Sequence, residues 1–228
     1  MKGKEGEWIG VELEYPVLRR PGGPADPEVS MGLMRHLQSR LSLQATARDP
    51  RGTPLRLREE ASGDEISFEY SFNTVEFSLA KRRSLKELSA AFQRLFHFSN
   101  SFLLSRGHLM TGLGVHPYPG GIRTPPLESP YYRMIHAFLS EPRATGRYRS
   151  ANFNALICST QTHLDVPLAR IAETLNVFSA LGWINALLFS NSSVWNGGVD
   201  PLGHWCARDR FWSDSRFGTN PLNVGSCD

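Results

Sequence analysis

The sequence predicts an α+β fold with a largely antiparallel sheet. Strand-like stretches come in runs with few helices between them, alternation of polar and apolar residues is confined to short segments, and helical spacing appears in a few longer ones. A doubly wound parallel sheet would instead interleave the two patterns. With 228 residues, 40% hydrophobic and 21% charged, the chain is long enough for a sizeable core and is expected to be a single domain over 1–228.

The elements follow in order. Trp8 to Leu18 reads as the first strand, ended by Pro21-Gly22-Gly23-Pro24. Asp26 and Pro27 then open a helix whose Leu33, Met34, Leu37 and Leu41 share a stripe. Strands are expected around Leu55–Arg58, Ile66–Tyr70 and Thr74–Leu79. Ser84 and Glu87 form a capping box that starts a long helix reaching about Arg106, with Gly107 beyond it. Leu109 to Val115 reads as a strand, its Gly112 and Gly114 permitting close backbone approach. Five prolines and two adjacent glycines make Pro117–Pro130 a loop, with a binding lid and a plain surface excursion as the two readings. A helix over Tyr131–Leu139, a strand over Phe153–Val166 and a helix ending near Ser192 complete the chain. The apolar run Ile171–Phe189 is broken by Glu173, Asn176 and Asn185 and lacks basic anchors on both sides, so it is expected to be a buried helix rather than a membrane span.

Composition narrows function. A net charge of +3 and no basic block longer than Lys81-Arg82-Arg83 disfavour nucleic acid as the main partner. Cys158, Cys206 and Cys227 are widely spaced and odd in number, which excludes a disulfide framework or thiolate zinc site and fits a reducing, cytoplasmic setting. No secretory signal is evident at the N-terminus, and neither a Walker-type loop nor a GxSxG elbow is present.

Three acidic or polar units carry the chemistry. In Val11-Glu12-Leu13-Glu14-Tyr15, strand alternation puts Glu12 and Glu14 on one face and the apolar residues on the other. That is also how the wet side of any half-buried strand looks. In Phe68–Phe77, a chain reversal at Phe72-Asn73 would set Glu69 directly opposite Glu76. Like charges about 4 Å apart repel by about 1 kcal/mol in water and about 4 kcal/mol at the effective dielectric near a protein. A face that gathers such pairs calls for a cation, and all-oxygen donors suit Mg²⁺ or Mn²⁺ rather than zinc. In Ser159–Asp165, alternate residues Ser159, Gln161, His163 and Asp165 share a face, with His163 either a metal or phosphate ligand or a hydrogen-bonded structural histidine. Downstream, Arg216 is a candidate anion contact, whereas Arg208 and Arg210 read as a solvated basic segment.

Taken in order, these units resemble the glutamate–cysteine ligase family of carboxylate–amine ligases with a glutamine-synthetase-like fold. The resemblance rests on Ile9–Glu14, on Glu69 with Asn73–Ser78, and on Gly114-Val115-His116-Pro117. Thr160–Asp165, Ala186–Ser192 and the Arg216 segment complete it. It implies a curved, funnel-like antiparallel sheet with helices packed on one side, holding ATP and Mg²⁺ (or Mn²⁺). It also implies that a side-chain carboxylate of L-glutamate or a similar substrate is phosphorylated by ATP and then joined to an amine such as that of L-cysteine. The implied metal ligands are Glu12, Glu14, Glu69, Glu76 and His163, with His163 and Arg216 at the nucleotide and Arg216 contacting phosphate or substrate.

Family members continue into a strand bearing Glu-x-Arg. Glu141-Pro142-Arg143 has those letters in a proline turn and is not expected to serve. The chain is therefore expected to be the N-terminal portion of the family domain, lacking its C-terminal part. An incomplete sheet edge would invite a homo-oligomer or a complementing C-terminal chain. The alternatives to a ligase are a non-catalytic or split-subunit binding protein that keeps the fold, and a metal-dependent hydrolase.

Overall fold

A computed structural model describes residues 8–118, 120, 123–140 and 152–214. The elements are β1 (Ile9–Arg19), α1 (Pro27–Leu41), β2 (Gln44–Arg48), β3 (Pro54–Arg58), β4 (Glu65–Phe68), β5 (Thr74–Arg82), α2 (Leu85–Leu104) and β6 (His108–Met110). They continue with α3 (Pro130–Leu139), β7 (Thr160–Leu164), α4 (Ile171–Phe189), β8 (Val194–Trp195), β9 (Gly198–Val199) and α5 (Ala207–Asp214).

Seven strands form one sheet in the order β2-β3-β4-β5-β1, and β6 and β7 share the far side of β1. Every pairing is antiparallel. Strand β7 runs along Ile9–Leu13, and β6 runs along Val17–Arg19. The α+β, largely antiparallel expectation holds.

Alternation splits the sheet into two chemical faces. Val11, Leu13 and Tyr15 of β1, Val75, Phe77 and Leu79 of β5, Ile66 and Phe68 of β4 and Leu57 of β3 point to one side. Helices α1 and α2 cover that side. Phe77 is fully buried, and its ring meets Tyr15 and Phe92 at centroid distances of 6.0 and 5.6 Å. Such aromatic pairs add about 0.5–1.5 kcal/mol beyond the area they bury. The caps are those the sequence predicts: Asp26 accepts from Glu28 N–H on α1, and Ser84 accepts from Glu87 N–H on α2. Asp64, in the β3–β4 turn, accepts two bonds from Arg82 at 2.7 and 2.8 Å and one from Ala80 N–H at 2.9 Å, which ties that turn to the end of β5.

Several expectations are corrected. Strand β2 is a further edge strand whose residues are mostly exposed, so Gln44–Arg48 carries no apolar alternation to reveal it. The strand expected over Leu109–Val115 shrinks to β6 plus an isolated bridge between Val115 and Ile157. The strand expected over Phe153–Val166 is only β7. Phe153–Ala155 forms a single 3-10 turn instead, burying Ala155 and placing Phe153 beside Val115, Leu156 and Phe211 in a second, smaller core. Gly114 is needed where it stands, since a Cβ there would come within 2.7 Å of Asn191 Oδ1. The loop before α3 is anchored at its far end: Leu127 is buried, its N–H donates to Tyr70 O at 2.7 Å, and Thr124 Oγ1 accepts from Asn73 at 2.9 Å.

The largest correction concerns α4. Expected to be buried, it has no buried residue along its 19 positions; Trp183 is 68%, Leu187 70% and Phe189 73% exposed. Leu168–Phe189 is long and apolar enough, by length and composition, to cross a membrane.

Candidate functional site

The second face of the sheet is acidic. Glu12 and Glu14 of β1 project to it, in register with Ser78 and Glu76 of β5. On the other side of β1, Glu12 is in register with Gln161 and Gly10 with His163. Beyond β5, Glu76 faces Ser67 of β4, and Glu69 lies two residues further along the same alternation. All five sequence-predicted metal ligands with described positions therefore share one face. Arg216 lies outside the described residues, as does Glu141-Pro142-Arg143.

The register differs from the expected one. Glu69 does not face Glu76; its N–H bonds instead to Thr74 O at 3.1 Å, continuing the Phe68–Val75 pairing. A wider turn, Tyr70–Asn73, causes the shift: Tyr70 adopts a positive φ of 55°, and Ser71 Oγ accepts from Asn73 N–H. A slip of two residues preserves side-chain parity, so Glu69 keeps its face. The directly opposed like-charge pair is Glu14 and Glu76.

Partners fix each carboxylate. Glu14 accepts from Ser159 N–H at 2.8 Å, Ser159 Oγ at 2.9 Å and Gln161 Nε2 at 3.2 Å. Glu69 accepts from the Tyr132 hydroxyl of α3 at 3.0 Å, and Glu76 accepts from Ser78 Oγ. Glu12 Oε2 lies 3.5 Å from His163 Nε2. Burial, then Glu76 and Glu14, push the Glu69 carboxyl up to about 8. Burial also raises Glu14, opposed by the bonds from Ser159 and reinforced by Glu76. Glu14, Glu69 and Glu76 thus form one electrostatic unit in which full ionisation is unfavourable. Among the described residues, no three His, Cys, Asp or Glu side chains are close enough as placed to hold one ion.

A cavity of about 850 Å³ opens beside this unit, along β1 between the ends of β6 and β7. Glu14, Ser159, Asn185, Asn191 and Arg208 supply its polar wall, and Phe178 and Phe189 of α4 its apolar one. Asn191 is stitched to the sheet by a 2.8 Å bond to Gly112 O. A shallower recess of about 270 Å³ lies between Glu12, His163, Glu65 and Ser78.

Two residues were missed by the sequence reading. Arg208 is half-buried rather than solvated, its Nε is buried with no hydrogen-bond partner among the described residues, and its charge acts on Glu14. The spacing of Ala207, Arg208, Phe211 and Trp212 could have shown this, because it puts Arg208 on the packed side of α5. Tyr132 carried no signal in the sequence that linked it to Glu69.

No protein-family model and no curated protein sequence matches the chain. Among solved structures, it is similar to the glutamate–cysteine ligase of Francisella tularensis determined in complex with AMP. The TM-score is 0.52 at 13% identity, covering 83% of this chain and 36% of the ligase. The likeness is one of fold. The chain has a partial glutamate–cysteine-ligase-like fold and spans little more than a third of that enzyme's length.

Proposed function

We propose that the acidic face and the adjoining cavity serve an ATP- and Mg²⁺-dependent carboxylate–amine ligase reaction of the glutamate–cysteine ligase type. The observation that carries this reading is the grouping of Glu12, Glu14, Glu69, Glu76 and His163 on one sheet face beside a cavity that Arg208 lines. The donor set fits the metal in kind: carboxylate oxygens are the hard ligands that Mg²⁺ or Mn²⁺ takes, and Glu69, pushed up to about 8 by burial and then by Glu76 and Glu14, is the one whose ionisation a cation would favour. With their side chains rotated inward from the described placement, Glu14, Glu69 and Glu76 would hold one such ion, and Glu12 with His163 would contribute to a second. A bound ion would neutralise phosphate oxygens and template their orientation.

The chain's own groups do the rest. Arg208 would anchor an anionic group of the substrate, a carboxylate or phosphate, through charge-assisted bonds. Ser159 and Gln161 orient Glu14, and Tyr132 orients Glu69. In the reaction, a substrate carboxylate oxygen attacks the γ-phosphorus of ATP and the bond to the bridging oxygen breaks, releasing ADP. The amine nitrogen then attacks the acyl carbon of the acyl phosphate, loses a proton and expels inorganic phosphate. L-glutamate and L-cysteine are the substrates by analogy of fold.

The test is calorimetric binding of ATP with and without Mg²⁺, followed by ADP release with L-glutamate and a panel of amines. Glu76→Gln and Glu14→Gln are each expected to weaken Mg²⁺-ATP binding at least about tenfold, the effect of about 1.4 kcal/mol. Undiminished affinity in both variants would refute the site. A non-catalytic or split-subunit binding protein is the second reading, favoured by the span of 36% of the ligase chain. It predicts Mg²⁺-ATP binding with no amine-dependent ADP release.

A further inference from the structure

Helix α4 has two apolar sides. One stripe, with Phe178, Asn185, Ala186 and Phe189, lines the cavity. The apolar stripe turned away from it runs Val177, Ala180, Ile184 and Leu187, with steps of three, four and three, and is flanked by Trp183 and Leu188, with the polar Asn176 at its edge and Glu173 at its N-terminal end. That is the spacing of a helix-pairing seam, in which apolar residues recur every 3.5 positions. The helix extends from Ile171 to Phe189, so Ala180, a small residue, sits at its midpoint.

Two antiparallel copies crossing there would set Ala180 against Ala180 of the second copy, with each Val177 near the other copy's Ile184. We propose that this outward stripe is the docking surface for a second copy of the chain, two α4 helices packing antiparallel about a two-fold axis at Ala180.

Area, charge and placement support a second copy. Val177 and Leu187 of the stripe are 50% and 70% exposed and Ile184 is half-buried, while Leu181, Trp183 and Leu188 beside it are 39%, 68% and 65% exposed. Together they offer on the order of 600 Å² of apolar surface, near the roughly 800 Å² that one partner gives to a standard interface. Glu173 is the only charged residue in α4, and it is already paired with Arg170 at 3.0 Å. Two such helices therefore meet without like-charge repulsion. A bilayer is the poorer occupant: Asn185 lies on the cavity stripe, and the segment after the helix is held against the sheet through Asn191. The surface lies on the opposite side of α4 from the cavity, so the proposal does not depend on the ligase reading.

The experiment is sedimentation velocity of the full 228-residue chain at micromolar concentration, alone and with phosphatidylcholine vesicles. The expected result is a discrete dimer that leaves the vesicles unbound. Ile184→Glu, which would bury two charges in the seam, is expected to raise the dimer dissociation constant on the order of a hundredfold. Its circular dichroism should be unchanged. Ala180→Cys under mild oxidation is expected to yield a dimer linked at position 180, identified by mass spectrometry of the joined peptides. A monomer, polydisperse aggregates indifferent to Ile184→Glu, or vesicle association in place of the dimer would each overturn the proposal.

Discussion

Helices α2 and α4 are both long and apolar, yet their situations are opposite. Helix α2 turns Leu88, Leu95, Phe102 and Leu103 into the core, where all are at most 7% exposed, and leaves a polar side to solvent. Helix α4 is apolar nearly all round, yet none of its residues is fully buried and only Thr174, Asn176 and Ile184 are half-buried. An amphipathic helix announces its own packing, because one stripe has a single place to go. A helix without a polar side says only that some surface must cover it, not which one. The apolar side of α2 is covered by the sheet and α1, whereas most apolar residues of α4 remain exposed.

The first way to sharpen that contrast is to empty the core under α2. Phe77→Ala removes a fully buried ring packed against Tyr15 and Phe92. It is expected to cost about 3–5 kcal/mol, read as a lower midpoint in urea unfolding. A loss below about 1 kcal/mol would mean that the β1–β5 face is not the stabilising core.

The acidic face of the same strands should behave in the opposite sense. Glu69 is pushed up to about 8 by burial and by Glu76 and Glu14, above its ordinary 4.5. A carboxyl with a raised folded-state value favours folding in its protonated form. That contribution is complete below pH 4.5 and is lost as pH rises through about 8. Without divalent ions, melting temperature is therefore expected to fall as pH rises across this window through the Glu69 contribution. Glu69→Gln should flatten the fall and, at pH 8, melt about 2–4 °C higher for each kcal/mol of repulsion relieved. Mg²⁺ should stabilise the wild type more at pH 8 than at pH 5, because protons and cations compete for the same oxygens. A wild-type and Glu69→Gln difference that does not vary with pH would separate Glu69 from the electrostatic unit.

How much of this was legible follows from the range of each rule. Side-chain parity is local, so Glu12, Glu14, Gln161 and His163 could be assigned to faces from alternation alone, and the two-residue register error at Glu69 left its face intact. Register itself was not legible, because it depends on a positive φ at Tyr70 and on the width of the Tyr70–Asn73 turn. The caps at Asp26 and Ser84 were readable because each acts within one helical turn. The burial of Arg208 and the exposure of α4 depend on what lies across space. Composition treats a charged residue as wet and an apolar run as dry, and both assignments failed for that reason.

The smallest expected effect bears on α4. Leu187 is 70% exposed and lies on the outward stripe, so Leu187→Ser removes little from the folded monomer. At protein concentrations below dimer formation it is expected to change unfolding free energy by no more than about 0.5 kcal/mol, the usual scale for a surface substitution. The cost should grow with concentration, since a second copy that binds only the folded chain stabilises it by mass action. Phe77→Ala should show no such dependence beyond that of the wild type. Urea midpoints of both variants at two widely separated protein concentrations measure the difference directly. If Leu187→Ser is costly at high dilution, then α4 packs against its own chain, and the distinction between the two helices disappears.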